Sequence, residues 1–402
     1  MNKKLLAIAI AGVIGAPLAQ AQTANVTLYG RLNLDTEVII NQKQDTSTPG
    51  RDIKQNIYRV ASNSSRLGVR GTESLGGGLN MIFQLELGSL PATSNGPVNV
   101  GRETFAGLQG GWGTAKIGYF LTPYDDVQSI FGSAPTLQTG ILGSQSLWSN
   151  TGYVGNSVDT GAFDDRVGHS IRYDSPTVSG FNGSVQIGGR EVGGTDGGDL
   201  TQQRRHAYIV STGGFYNNGP LSAGVVYERH NKLRTGTATN PGLRDDGITL
   251  AGSWNFGVVK VGAAYERLKY DIASGGDLKR NFWAISATAN VGPGQLYAAY
   301  YAAGNGTGSA KCVTTGGTTV CPRVGALTLG SESKAQQWEV SYTYPLSKRT
   351  LLYTGYTFID NHKNAGYNFG VNQISGVCTG NGAACGVADK PQGLVTGIVV
   401  FW

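Results

Sequence analysis

Apolar and polar residues alternate along this chain in short runs, separated by gaps that are by turns brief and long. That rhythm restricts the fold more than any single segment does. Leu28, Gly30, Leu32 and Leu34 fall on every second position, as do Met81, Phe83, Leu85 and Leu87. Trp338, Val340, Tyr342 and Tyr344 repeat the pattern. A period of two marks a strand with one apolar and one polar face. No 3.6-residue stripe competes with it. The periodicity predicts 16 strands, at 25–38, 56–73, 78–89, 101–110, 113–122, 168–175, 180–190, 204–215, 219–230, 246–256, 257–270, 280–291, 294–303, 335–345, 349–360 and 393–402. Short gaps carry turn residues, such as Gly76-Gly77, Asn218-Gly219-Pro220 and Gly292-Pro293-Gly294. The long gaps, at 39–55, 89–100, 123–167, 191–203, 231–245, 271–279, 304–334 and 361–392, are polar and Gly-rich.

A soluble β-sandwich has no reason to collect every long loop at one end. A transmembrane β-barrel does: it has an even strand count, short periplasmic turns and long external loops. In lipid every backbone polar group must be bonded internally, and a closed antiparallel barrel leaves no free edge. Sixteen strands enclose an aqueous lumen rather than a filled interior. Composition agrees. Of 402 residues only 14% are charged, 62 are Gly, and hydrophobic residues reach 40%, too few for a large soluble core. Nineteen Tyr against 12 Phe suit surfaces where lipid meets water. A net charge of +6 is too mild to argue for nucleic acid.

The first 21 residues look like an export signal. Lys3 and Lys4 precede an apolar stretch from Leu5 to Leu18, and Ala19-Gln20-Ala21 fits signal peptidase. The stretch is shorter than the ~20 residues a membrane helix needs. The mature chain, 22–402, is expected to start at Gln22 and to form one barrel domain in the cell outer membrane.

Several stretches carry a family resemblance. They are Ser64-Ser65-Arg66-Leu67-Gly68-Val69-Arg70-Gly71-Thr72-Glu73, Gly101-Arg102-Glu103-Thr104-Phe105-Ala106-Gly107-Leu108, His169-Ser170-Ile171-Arg172-Tyr173-Asp174-Ser175-Pro176 and Leu346-Ser347-Lys348-Arg349-Thr350. With the opening Leu28-Tyr29-Gly30, and in this order, they resemble the Gram-negative general porins of neisserial and other β-proteobacterial type. The resemblance implies a homotrimer of 16-stranded channels that pass small hydrophilic solutes and ions, among outer-membrane lipid and lipopolysaccharide. It also implies that the third external loop folds into each barrel as a constriction. Two departures stand out. Tyr119-Phe120 occupies a place where the family often has Arg-Gln, and the chain ends in Trp402 rather than Phe. Small residues on the apolar face, Ala106, Ala263 and Ala298, suit close subunit packing.

A channel's chemistry lies where charged side chains line its narrowest passage. Face parity sends Arg31, Arg66, Arg70, Lys116 and Arg172 toward the lumen, since charge on the lipid face costs ~2–4 kcal/mol at midplane. Arg102 is ambiguous by parity. The longest gap, 123–167, is the expected constriction loop, with Asp125, Asp126, Asp159, Asp164 and Asp165 facing the basic wall. Fixed wall arginines predict a modest anion preference. A solute-specific channel for a sugar or organic acid on the same barrel stands as the alternative.

All four cysteines lie in external gaps. An oxidising periplasm favours pairing, and four cysteines allow three connectivities. The expected pairs are Cys312–Cys321 and Cys378–Cys385, each closing a small loop. The four His residues show no metal-ligand spacing, no convergent acid, base and nucleophile set argues for an enzyme, and no cofactor is implied.

Overall fold

The computed structural model describes residues 25–44, 52–88, 101–131, 140–143, 146–150, 161–189, 207–234, 243–370, 374 and 388–402. Seventeen strands form one closed antiparallel sheet. In chain order they begin β1 (Asn25–Gln44), β2 (Asp52–Ser62), β3 (Arg66–Gly76), β4 (Leu79–Gly88), β5 (Thr104–Gly110) and β6 (Gly113–Leu121). Next come β7 (Arg166–Asp174), β8 (Phe181–Gly189), β9 (Tyr208–Asn218), β10 (Leu221–Asn231), β11 (Arg244–Asn255), β12 (Val259–Asp271), β13 (Asp277–Val291) and β14 (Gly294–Ala303). Two small hairpins follow outside the barrel: β15 (Val313–Thr315) with β16 (Thr318–Val320), and β17 (Arg323–Val324) with β18 (Leu327–Thr328). The barrel ends with β19 (Ala335–Pro345), β20 (Thr350–Asn361) and β21 (Lys390–Phe401). β21 pairs back onto β1, from Arg31↔Phe401 to Gln42↔Lys390, and closes the wall.

Seventeen strands fill 16 staves, because β2 and β3 share one. β1 pairs along its first half with β3 and along its second with β2. The single strand expected over 56–73 is therefore broken at 63–65. The cause is local. Asn63 N–H bonds the Asn33 carbonyl at 2.9 Å, and Asn33 N–H bonds Ser65 Oγ at 3.0 Å, while Ser64 takes φ 52°. Register runs from Leu34↔Ser62 to Arg31↔Arg66, so three residues of the broken stave face two of β1. That is a β-bulge.

The expected gap at 39–55 also shrinks. Strand pairing continues through Ile39–Gln44 and Asp52–Gln55. Ile39 hides the alternation in sequence because it is an apolar residue on the inward face, between Glu37 and Asn41, while Val38 and Ile40 point outward. The gap expected at 271–279 likewise shortens, since β13 starts at Asp277.

The two faces divide as a membrane wall requires. Leu28, Leu85, Ile117, Ile171, Leu250 and Ile285 are exposed outward, whereas Asn33, Glu37, Gln186, Glu228, Glu266 and Gln337 are buried inside. Tyr265, Trp283, Trp338 and Tyr356 add outward aromatic rings, as at membrane interfaces. Among the described residues no helix is long and apolar enough to cross a membrane; strands make the crossing.

Candidate pore constriction

The described residues of the connection from β6 to β7, at 122–131, 140–143, 146–150 and 161–165, turn into the barrel. The connection opens with α1 (Pro123–Asp126), whose proline sits in the first turn, where a missing N–H costs nothing. Then come α2 (Gln128–Phe131) and a 3-10 turn at Trp148–Asn150. The loop carries its own apolar core against the wall. Phe131 meets Trp148 edge to face at 5.4 Å, Trp148 lies 5.4 Å from Phe282, and Phe163 stacks on His230 at 4.4 Å.

Polar anchors fix the loop's position. Glu266 on β12 accepts from Tyr124 Oη at 2.9 Å and from Ser149 N–H at 3.2 Å. Arg280 on β13 pairs with Glu266 and donates to the Leu147 carbonyl at 2.7 Å. Ser286 Oγ donates to the Phe131 carbonyl at 2.7 Å, and Gly143 N–H donates to Glu339 on β19 at 3.0 Å. These anchors all lie on β12, β13 and β19. The basic residues of the lumen lie on other staves, β1, β3, β6 and β7.

Arg31 on β1 is 7% exposed, and its Nε and Nη2 have no hydrogen-bond partner. Across the ladder stands Arg66, whose Nε is 3.6 Å from Glu86. Arg70 lies over the Tyr29 ring, 5.0 Å from its centroid, and the Tyr29 hydroxyl donates to Glu86 at 2.9 Å. Tyr29 can take this place because Gly68 has no side chain; a Cβ there would fall 2.3 Å from the ring. Among the described residues neither Arg31 nor Arg70 has a carboxylate within 4 Å. Lys116 sits between the rings of Phe105 and Phe120, at 5.1 and 4.9 Å, with Asp174 at 3.8 Å. Phe120, one of the two residues that depart from the family pattern, thus supports the lysine.

Arg172 differs from the other four. Its Nε donates to Asp174 at 2.8 Å, its Nη1 to the Leu121 carbonyl at 3.2 Å, and it pairs with Asp126 of the loop. This is the contact between basic wall and acidic loop. Asp126 keeps about a third of its side chain exposed (35%). Its setting within the barrel nevertheless removes enough water to push its pKa up to about 6, against the pull of Arg172. Asp164 is buried and bonded to Gln128, and lies against Asp125. Burial first, and the Asp125 charge second, push its carboxyl well above the ordinary range. Asp165 accepts from Arg166 N–H at 2.7 Å. Asp159 lies outside the described residues. Below the loop, Asp125, Asp126, Arg172, Asn182, Ser184 and Asn217 line part of a cavity of about 520 Å³.

Several functional residues escape sequence parity. Arg102 lies ahead of β5, turns inward over Gly88 and pairs with Glu86, so Glu86 joins Tyr29, Arg66 and Arg102 in one cluster. Arg59 faces the lumen and pairs with Glu37. The pair Glu266–Arg280 carries no sequence mark beyond its inward parity. Cys312 and Cys321 form a disulfide that closes the β15–β16 hairpin; Cys378 and Cys385 lie outside the described residues. Among the described residues no group of three His, Cys, Asp or Glu is placed to hold a metal.

Known proteins share this architecture. A family model described as Gram-negative porin matches residues 6–364. Outer membrane porin protein 32 of Delftia acidovorans is 30% identical, over 90% of this chain and 90% of its own. An outer membrane porin of Bordetella pertussis is 30% identical over 92% of this chain and 99% of its own. Among solved structures, the anion-selective porin from Comamonas acidovorans superposes with a TM-score of 0.70 at 24% identity, covering 94% of this chain and all of that one. The trimer form of OmpT from Vibrio cholerae superposes at 0.59 with 15% identity, over 94% of this chain and all of that one. A closed barrel of 16 staves, an infolded third loop and relatives over nine-tenths of its length make this chain a member of the Gram-negative porin family, an outer-membrane channel.

Proposed function

We propose that this porin passes small hydrophilic solutes and ions with a modest preference for anions. The carrying observation is an imbalance of partners. Arg31, largely buried, and Arg70, exposed, face the lumen with no carboxylate within 4 Å among the described residues. Two of the loop acids are engaged: Asp126 is tied to Arg172, and Asp164 is buried and bonded to Gln128, where burial and the Asp125 charge raise its carboxyl. Arginine holds its charge in any such site. Reversal potentials in a KCl gradient test the reading. Anion preference should be strongest at low salt, because the screening length falls from ~10 Å at 0.1 M to ~3 Å at 1 M. A preference for K⁺ overturns it.

The working form in this reading is a homotrimer of mature chains that begin at Gln22, set among lipid and lipopolysaccharide. Ala263, which lies on the outward face of β12, suits close packing of subunits. Intact mass of protein taken from outer membranes tests the processing site. Light scattering in mild detergent tests assembly, and a monomer with full channel activity counts against the trimer.

A further inference from the structure

The outward face of β10–β13 carries a cluster of basic residues at its loop end. Arg229, Arg244, Arg267, Lys269 and Lys279 all alternate with buried lumen residues, so they point away from the channel. All lie at the ends of their strands next to external loops. Register places them side by side: Arg229↔Asp246, Asp246↔Lys269 and Lys269↔Lys279 form one row, and Arg267 lies just below it. At ~4.8 Å between strands the row spans about 15 Å. It stands directly above the outward rings of Tyr265 and Trp283, which mark the interface.

The patch is not neutralised from within. Asp246 serves Arg229 and Arg244, and Asp277 serves Lys269 at 3.8 Å and Lys279 at 2.7 Å. Asp271, across the ladder from Asp277, adds a third acid on this face, and five cations against three acids leave a surplus of two. Arg267 has no carboxylate within 4 Å among the described residues. Lys269 and Lys279 face each other across the ladder and share the single carboxylate of Asp277, which leaves one charge of the pair uncompensated. A guanidinium on the outside of a barrel, at headgroup depth, is matched by phosphate.

We propose that this patch is a binding site for the phosphorylated headgroup of lipopolysaccharide in the outer leaflet. The proposal rests on the reading that the barrel sits among that lipid, and it assigns the contact to one arc of the wall. Phosphate oxygens bridge Arg267, Lys269 and Lys279, and the acyl chains run down past Tyr265 and Ile248.

The test titrates the purified full-length protein with diphosphoryl lipid A and with the same lipid dephosphorylated, reading bound lipid by native mass spectrometry. The natural chain should bind the phosphorylated form preferentially. The triple variant Arg267→Gln, Lys269→Gln, Lys279→Gln should bind it roughly tenfold or more weakly, given the usual contribution of each basic residue at an anionic surface. Lys54→Gln, outward on β2 on the far side of the barrel, should bind as the natural chain does. Equal binding of the two lipids, a triple variant within twofold of the natural chain, or an equal loss in Lys54→Gln overturns the site. If the triple variant does not fold, the two-lipid comparison on the natural chain decides alone. Conductance of the same samples reports on the channel separately, so a fault in the channel reading is not mistaken for a fault here.

Discussion

Two residues set the expected selectivity, one by lacking a partner and one by titrating. Arg31 faces the lumen from β1 with no carboxylate within 4 Å among the described residues. Removing a charge at such a point changes the local potential by about 1 kcal/mol for an ion passing at 4 Å in water. Arg31→Gln should therefore lower the anion-to-cation permeability ratio several-fold. Glu86→Gln should act in the opposite sense, because it frees Arg66 and Arg102. Reversal potentials measured in the same gradient check both, and an unchanged value for Arg31→Gln removes it from the narrowest passage. Asp126 gives the pH dependence. Its carboxyl is raised to about 6, so it is mostly ionised at pH 7.5 and mostly protonated at pH 5. Acidification removes a negative charge and releases Arg172, and anion preference should rise. Asp126→Asn should show the higher preference already at pH 7.5 and lose the step between pH 7 and 5. A natural channel whose selectivity is flat over that range contradicts this role.

The broken second stave shows what strand periodicity can and cannot carry. Reading 56–73 as one strand correctly puts Arg66 and Arg70 on one face. By the same parity it puts Arg59, seven residues from Arg66, on the other. The bulge at 63–65 resets the parity, so Arg59 faces the lumen and meets Glu37. Nothing in the alternation itself reveals this, since both halves alternate well. The cue was chemical: Ser62-Asn63-Ser64-Ser65 can replace ladder bonds with side-chain bonds, and an arginine turned to lipid is costly. Arg102 was illegible for a related reason, because regular pairing begins only at Thr104 and parity has no meaning before it. Deleting Ser64 tests the element. It restores an unbroken ladder, turns an arginine toward lipid at ~2–4 kcal/mol, and strands buried Glu37. The variant should refold poorly in detergent and lose its heat-modifiable band on gels. Wild-type refolding yield and thermal midpoint would show that the bulge is dispensable.

For the whole molecule, stave number and loop order were legible, because membrane physics leaves few ways to arrange 16 amphipathic strands; the inward third loop was legible only through the family resemblance. Which arc of wall the loop covers was not. The residues that decide it, Glu266, Arg280 and Glu339, look like any other inward charge. Several of their decisive partners are backbone groups of the loop: Ser149 N–H, the Leu147 carbonyl and Gly143 N–H. Once seated, the loop joins inward residues of the wall, among them Ile39, Phe282 and Tyr353, in one buried cluster. Its seat is expected to hinge on Glu266–Arg280, both fully buried. Removing one partner of such a pair costs about 3–5 kcal/mol, chiefly through the charge left behind. Barrel closure does not depend on it, since β1 and β21 pair over twelve positions on their own. The cost therefore falls on the loop. Arg280→Met should keep the heat-modifiable barrel while raising single-channel conductance and current noise. The double variant Glu266→Gln, Arg280→Met leaves no stranded charge and keeps an acceptor for Tyr124, so its noise should return toward that of the natural chain. Noise equal in the single and double variants would mean that lost packing, not the stranded carboxylate, loosens the loop. A folded Arg280→Met channel with natural conductance and noise would place the loop's anchorage elsewhere, on Glu339 and the aromatic cluster around Trp148.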